Sequence, residues 1–274
     1  LTMRLAQKLY EAGHITYMRT DSTNLSTAAV MEILALIKEK YGPSFAEHPR
    51  MYKTRSKSAQ EAHEAIRPTH IATFKTGRSE AEQKLYDLIW RRTIASQMTD
   101  AKLLRTRLEA QADNSKIPIF QATGHQIVFA GWLQADPRAR GEEIELPNWQ
   151  IGQALELKRI DGIGKETMPP NRYSEAGLIK ELEKRGIGRP STYAPTIKTV
   201  LDRGYVTREK RTLQPTETGE VVSTFLEKNF ADYISDSFTA RMEDELDAVA
   251  AGKLSYRKSL EAFYTPFHRA VVGK

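Results

Sequence analysis

The sequence predicts a multidomain α+β protein that is mainly helical. The chain has 274 residues, which is enough for one to three domains. Apolar residues follow helical spacing through residues 1–102 and again from Ser174 onward. Between them, apolar and polar residues alternate, which is typical of strands. We therefore expect a helical domain at residues 1–102, a β-rich segment at 103–170 and a second helical domain at 171–274.

The first domain is predicted to consist of helices joined by polar loops. Ser26 is the expected N-cap of a helix that ends before Gly42. A short helix is expected to begin at Ser58, to contain His63 and to end just before Pro68, because the residue before a proline disfavours helical geometry.

A third helix is predicted from the capping box formed by Ser79 and Glu82. We expect it to continue to about Met98. Its inward face is predicted to carry Leu85, Leu88 and Ile89.

The middle segment is predicted to contain four strands separated by turn residues such as Asp113-Asn114 and Gly141. The candidate strands are residues 104–112, 116–124, 126–132 and 153–161.

The last domain is predicted to be helical with one short hairpin. Ser174 is expected to cap a helix that ends at Gly186, and Ser191 to cap a second helix that ends near Gly204. Two short strands and three further helices follow. Helix, turn, helix and hairpin in this order form a winged-helix-like plan, which commonly binds DNA. In one later helix the expected core positions are Met242, Leu246, Val249 and Ala250.

Composition narrows the class of protein. The net charge of +6 fits a chain that neutralises phosphates. The absence of cysteine excludes disulfides and thiolate metal sites and favours the cytoplasm. The sequence has no long apolar run of the kind that crosses a membrane. The opening LTMRLAQKLY has neither an initiator methionine nor a leader pattern, so we expect a segment of a longer protein.

Tyr17 and Arg19 form the most informative pair in the chain. They lie two residues apart, and in an extended segment such residues point to the same face. A phenol oxygen can attack a phosphate, and a guanidinium can clamp it. The structural alternative is an amphipathic strand in which the tyrosine only packs.

The string HITYMRTDSTNLS around this pair closely resembles the active-site segment of type IA DNA topoisomerases, the bacterial topoisomerase I family. Three more blocks match the family in its order. They are AQEAHEAIRPTH at 59–70, EKRGIGRPSTYAPTIKTVLDRGYV at 183–206 and, more weakly, FTARMEDELDAVAAG at 238–252. The resemblance implies a helical nucleophile domain, a β-rich arch and a winged-helix-like DNA-binding domain.

The resemblance also implies roles for individual residues. Tyr17 is expected to form a covalent link to a DNA 5′-phosphate, with Arg19 supporting that step. His63 is expected to contact the DNA backbone near the scissile phosphate. The resemblance does not settle Arg67, which would share a helical face with His63 at i+4 and could either add phosphate affinity or form a salt bridge to Glu64 or Glu61. The residues expected to bind single-stranded DNA are Arg189, Ser191, Thr192 and Arg203.

The family's Mg²⁺ belongs to a Toprim domain with a D-x-D-x-E cluster, which this sequence lacks. We therefore expect no metal ligands in this chain, and we expect the acids of residues 243–247 to form a solvated helix face. The expected partners are a single-stranded region of negatively supercoiled DNA and the Toprim domain. The implied protein is a monomer in the cytoplasm, associated with the nucleoid, that relaxes supercoils without ATP.

Two other functions remain open. A tyrosine recombinase also combines Tyr, Arg and His, but its tyrosine follows an H-x-x-R motif, whereas here Tyr17 precedes H-x-x-x-R. A non-catalytic module would use Tyr17 only to stack on bases of single-stranded DNA.

Overall fold

The structure, a computed structural model, describes residues 1–52, 63–114 and 116–273. Within that range the chain forms two compact units, which divide between residues 166 and 167. The first unit contains the predicted helical segment and all but the last residues of the predicted β-rich segment at 103–170.

Three helices build the first unit, α1 (Thr2–Glu11), α2 (Thr27–Tyr41) and α3 (Glu80–Gln97). The Ser26 hydroxyl accepts the amide of Ala29, so the predicted N-cap of α2 is confirmed. The Ser79 hydroxyl likewise accepts the amide of Glu82 at the start of α3. The Glu82 carboxylate closes this turn by accepting the amide of Arg78.

The core of the first unit lies where these helices meet the loop after α1. The side chains buried most completely include Leu9, Ile15, Ile33, Ile37, Tyr86, Ile94 and Met98. The predicted inward face of α3 is wrong at Leu88, which is 44% exposed. The helix instead buries Tyr86, Trp90 and Ile94, and the Trp90 indole donates to the Ile71 carbonyl at 2.8 Å. The aromatic rings reach the core because their spacing of four residues follows one helix face.

The helix predicted around His63 is not observed in its described part. Residues 63–67 are irregular, and Ser58 lies outside the described residues. The backbone of this segment bonds to the loop after α1, which satisfies its donors and acceptors without a helix.

The β-rich segment is one antiparallel hairpin of β1 (Lys102–Ala110) and β2 (Phe120–Phe129). The prediction was wrong in dividing the second strand into residues 116–124 and 126–132. Gly124 allows Ile144 to bridge to His125, since a Cβ at Gly124 would lie 2.5 Å from the Ile144 carbonyl oxygen.

The strand predicted at residues 153–161 is also wrong, because this segment has no regular structure. Alternating apolar residues favour a strand only where another backbone offers hydrogen bonds. No described residue pairs with this segment.

The second unit begins with α4 (Glu175–Arg185), α5 (Tyr193–Asp202), β3 (Val206–Glu209) and β4 (Thr212–Pro215). This order matches the predicted winged-helix-like plan. Ser174 caps α4, and Gly186 ends it in the left-handed conformation, as predicted. The cap of α5 is Thr192 rather than the predicted Ser191.

Three more helices complete this unit, α6 (Glu217–Ile234), α7 (Asp236–Ala250) and α8 (Tyr256–Val272). They meet through an aromatic cluster in which the Phe263 and Phe267 rings stack with centroids 5.3 Å apart. Tyr233 and Phe238 join the same cluster. Leu246 on α7 was predicted to face the core, but it is 50% exposed because the aromatic contacts lie at other positions of the helix.

Among the described residues, no helix combines the length and apolar character that a membrane crossing requires.

Candidate active site

The loop that carries Tyr17 is docked against the segment that follows His63. The amide of Thr16 donates to the Arg67 carbonyl at 2.9 Å, and the amide of Ala65 donates to the Asn24 carbonyl at 2.7 Å. Ile15 and Pro68 form an isolated antiparallel bridge next to these bonds. Two motifs that are almost fifty residues apart in sequence therefore form one surface.

The side chain of Thr16, next to the candidate nucleophile, strengthens this docking. Its hydroxyl donates to the Ala65 carbonyl at 2.8 Å and accepts from the Arg67 amide at 2.9 Å. A single β-branched residue therefore satisfies both an amide and a carbonyl of the facing segment.

Glu64 provides a second link between the two segments. Its carboxylate accepts from the Ser26 amide at 3.1 Å and from Arg67 Nε at 2.7 Å. Partial burial alone would raise the pKa of Glu64, but the bonds from Arg67 and Ser26 outweigh burial and hold the pKa below its usual value. The predicted pair of Arg67 with Glu64 is confirmed, whereas Glu61 lies outside the described residues.

This docking places the ring of Tyr17 between two other rings. The Tyr10 ring meets it edge-to-face with centroids 5.2 Å apart, and the His63 ring lies 5.1 Å away at an angle of 48°. Such contacts fix the orientation of a ring. In the described part of the chain, no group forms a hydrogen bond with the Tyr17 hydroxyl. The half-buried phenol thus keeps its oxygen available.

Arg19 lies in a bend two residues beyond Tyr17, not in an extended strand. Its side chain is exposed, and within the described ranges it has neither a hydrogen bond nor an ion pair. The guanidinium is therefore free to meet an anion. Whether it shares one phosphate with Tyr17 stays a prediction.

The other predicted DNA-binding residues belong to the second unit, where they lie at the two ends of α5. Ser191 and Thr192 are exposed at its start, and Arg203 is exposed at its end. The ten residues of α5 span about 15 Å. These side chains are therefore too far apart to hold one phosphate and would contact different nucleotides of a strand.

Arg189 is not a solvated cation in this structure. Its guanidinium bonds to Asp247 at 2.7 Å and lies 3.6 Å from Glu243. Burial alone would lower the pKa of Arg189, but the bond to Asp247 and the charges of both acids outweigh burial and raise it. The prediction that the acids of α7 form a solvated face is therefore wrong for Glu243, which is partly buried against Arg189, whereas Asp247 stays exposed although it pairs with the same arginine.

Gly188 explains the tight turn before α5. Its φ is +79°, and a Cβ there would lie 3.0 Å from the Tyr193 ring. The Thr192 hydroxyl accepts the Arg189 amide at 2.9 Å in the same turn. These contacts hold Arg189 at the start of α5.

The described residues do not fit the Mg²⁺ that the family resemblance implies. Nowhere in these ranges do three His, Asp or Glu side chains come together as metal ligands.

Sequence reasoning did not find Tyr10 or Thr16, and it found Glu64 only as a partner of Arg67, not as a partner of the Ser26 amide. A signal existed for Tyr10, which lies at the end of an amphipathic helix directly before the nucleophile loop. Thr16 and Glu64 act through contacts between segments distant in sequence, which residue patterns do not reveal.

Comparison with known proteins identifies the family of this chain. A family model described as DNA topoisomerase matches residues 1–261. DNA topoisomerase 1 of Synechocystis is 43% identical over 96% of this chain and 30% of its own length. DNA topoisomerase 1 of Vibrio cholerae is 44% identical over 98% of this chain and 31% of its own length.

A solved structure of full-length topoisomerase I from Thermotoga maritima has a TM-score of 0.80 and 35% identity. The match covers 98% of this chain and 45% of the solved chain. This chain spans about a third of the length of the curated relatives. Since the family model covers nearly all of its residues, the chain belongs to the bacterial type IA DNA topoisomerases.

Proposed function

We propose that this chain provides the nucleophile and part of the strand-binding surface of an ATP-independent type IA topoisomerase. The supporting observation is the available hydroxyl of Tyr17, whose ring is held between Tyr10 and His63. The location of this tyrosine within a chain that the family model matches strengthens the inference.

In the proposed cleavage step the Tyr17 oxygen attacks a DNA phosphorus atom, and the bond from phosphorus to the 3′-oxygen breaks. The phenol proton leaves to solvent, and the departing 3′-oxygen takes up a proton. The product is a 5′-phosphotyrosine, and attack by the 3′-hydroxyl reverses the reaction after strand passage. Relaxation of negative supercoils follows without ATP because the ester conserves the energy of the broken bond.

Arg19 has the chemistry needed to neutralise charge that develops on the phosphate, since its guanidinium is fixed in charge and exposed. We assign His63 to the DNA backbone beside the scissile bond. Ser191, Thr192 and Arg203 would hold neighbouring nucleotides of the single strand. Arg189 would join them once a phosphate replaces its acidic partners.

The Mg²⁺ of the proposed topoisomerase would be bound by a Toprim domain outside residues 1–274. The expected protein works as a monomer on DNA in the cytoplasm, associated with the nucleoid. This chain alone is not expected to relax DNA.

The test is covalent trapping on a single-stranded oligonucleotide by a full-length topoisomerase in which this chain replaces the matching segment. Tyr17→Phe should abolish the covalent adduct while strand binding persists. Tyr10→Phe is the matched control, because it also removes one phenol oxygen and keeps the ring, and it should still form the adduct.

Labelling either end of the oligonucleotide identifies the linked phosphate. A 5′-phosphotyrosine supports the proposal. A 3′-linkage indicates recombinase chemistry. If Tyr17→Phe cleaves the oligonucleotide as well as the parent does, Tyr17 is not the nucleophile, and only the function of a strand-binding module remains for this chain.

A further inference from the structure

A groove with a volume of about 510 Å³ lies in the first unit beside the nucleophile loop. This volume falls within the range of about 300–1,000 Å³ that is typical of small-ligand sites. One part of its wall is Ser22, Thr23 and Leu25, which follow Tyr17 in the same loop. Ala65, whose carbonyl bonds to Thr16, lines it as well. The groove is therefore continuous with the docked segments that orient Tyr17.

Arg92 on α3 gives the groove an accessible positive charge. Its side chain is 64% exposed, and its ion pair with Asp136 is long at 3.7 Å. The other arginine of the groove, Arg50, is bonded to Asp100 at 2.8 Å. An incoming anion therefore binds Arg92 at a smaller free-energy cost than Arg50, because the ion pair that it has to displace is weaker.

Two aromatic residues line the same groove, Tyr52 and Trp132. Tyr52 is 42% exposed, and its hydroxyl donates to the Ser96 carbonyl at 2.6 Å. This bond fixes the ring at the wall of the groove while part of it stays accessible. A fixed aromatic ring close to an exposed arginine is the combination with which proteins hold single-stranded nucleic acid, by stacking on bases and neutralising phosphates.

We propose that this groove is a subsite for one nucleotide of the single strand near the scissile phosphate. Arg92 binds the phosphate of that nucleotide, and Tyr52 stacks on its base. The subsite rests on the proposed function, since the strand reaches the groove from the phosphate held at Tyr17.

The test measures equilibrium binding of a single-stranded oligonucleotide to the 274-residue chain at several salt concentrations. Neutralising one phosphate contact should reduce the slope of log affinity against log salt by about 0.7 for single strands. Arg92→Gln should therefore show this smaller slope. Arg138→Gln is the matched control, because Arg138 is also 64% exposed and has one ion pair at 3.4 Å, to Asp87, but does not line the groove.

Stacking is tested separately. Tyr52→Leu keeps an apolar side chain but removes the aromatic face, and it should weaken binding about fivefold or more. Tyr52→Phe is the matched control, because it loses the same bond to Ser96 but keeps the aromatic face, and it should bind the oligonucleotide nearly as tightly as the parent chain.

Equal salt slopes for Arg92→Gln and Arg138→Gln would overturn the subsite. So would binding of a free mononucleotide as tight as that of the oligonucleotide, since the groove would then be a small-molecule site. Covalent trapping in the full-length protein is scored independently. If the full-length protein forms the covalent adduct but neither Arg92 nor Tyr52 affects oligonucleotide binding, only the subsite is disproved. If both residues affect binding but no adduct forms, the proposed cleavage function is disproved.

Discussion

Replacing Thr16 with valine tests whether the docking of the two motifs positions the candidate nucleophile. The substitution keeps the branched shape but removes the hydroxyl that bonds to Ala65 and Arg67. Each lost bond costs about 1 kcal/mol, so the docked arrangement should lose about 2 kcal/mol. That free energy corresponds to roughly a thirtyfold increase in the undocked population.

Amide hydrogen exchange measures this population directly. The Arg67 amide donates to the Thr16 hydroxyl, so its exchange should accelerate about thirtyfold in Thr16→Val if opening is local. Thr16→Ser keeps the hydroxyl and should restore slow exchange. Thr99→Val is the control, because it removes a hydroxyl that bonds to Ser44 in another part of the first unit.

The consequence for catalysis follows from the ring contacts. Undocking moves His63 away from Tyr17, whose ring centroid is now 5.1 Å distant. Covalent trapping by the full-length protein should then decrease in Thr16→Val and recover in Thr16→Ser. Unchanged exchange at Arg67 in Thr16→Val, with a stable fold, would refute the reasoning.

Three further predictions concern charge and backbone geometry. The pKa of Glu64 is lowered from 4.5, so its contribution to stability is present above pH 4.5 and is lost as the pH falls through the lowered value. The free energy of unfolding in urea should therefore be higher for the parent chain than for Glu64→Gln at neutral pH, and the two values should converge in acid. Asp247→Asn should remove the shorter of the two ion pairs of Arg189 and increase single-strand affinity about twofold to fivefold in a binding titration. Asp244→Asn makes the same charge change on an exposed residue and should not increase the single-strand affinity. Gly188→Ala should cost at least about 1–2 kcal/mol in urea unfolding, because a side chain there adopts left-handed geometry.

Each of these predictions has an outcome that contradicts it. A stability difference for Glu64→Gln that persists at low pH would show that its charge is not the cause. Equal gains of affinity in Asp247→Asn and Asp244→Asn would indicate a general charge effect. Gly252→Ala supplies the comparison for Gly188, since its φ is +71° but its Cβ meets nothing within 4 Å. A cost well below about 1 kcal/mol at Gly188 would contradict the prediction, and any excess over the cost at Gly252 measures the contact with the Tyr193 ring.

The local structure of this protein was largely predictable wherever one segment contains its own signals. Ser26 and Ser174 cap the helices they were expected to cap, and Gly186 ends α4. Such signals act within one helical turn, so a side-chain oxygen or a missing Cβ decides them without distant partners. The sequence alone also provided the motif around Tyr17 and, through it, the family.

Contacts between distant segments decided the remaining features. Residues 63–67 do not form the predicted helix, because the loop after α1 provides hydrogen-bond partners for their backbone groups. Residues 153–161 alternate like a strand but find no partner among the described residues. The sequence motif predicts that Arg189 binds single-stranded DNA, but it does not reveal that Glu243 and Asp247 of α7 pair with its guanidinium. A pattern records which face of a segment is apolar or charged, whereas only the tertiary structure determines which backbone or side chain meets that face.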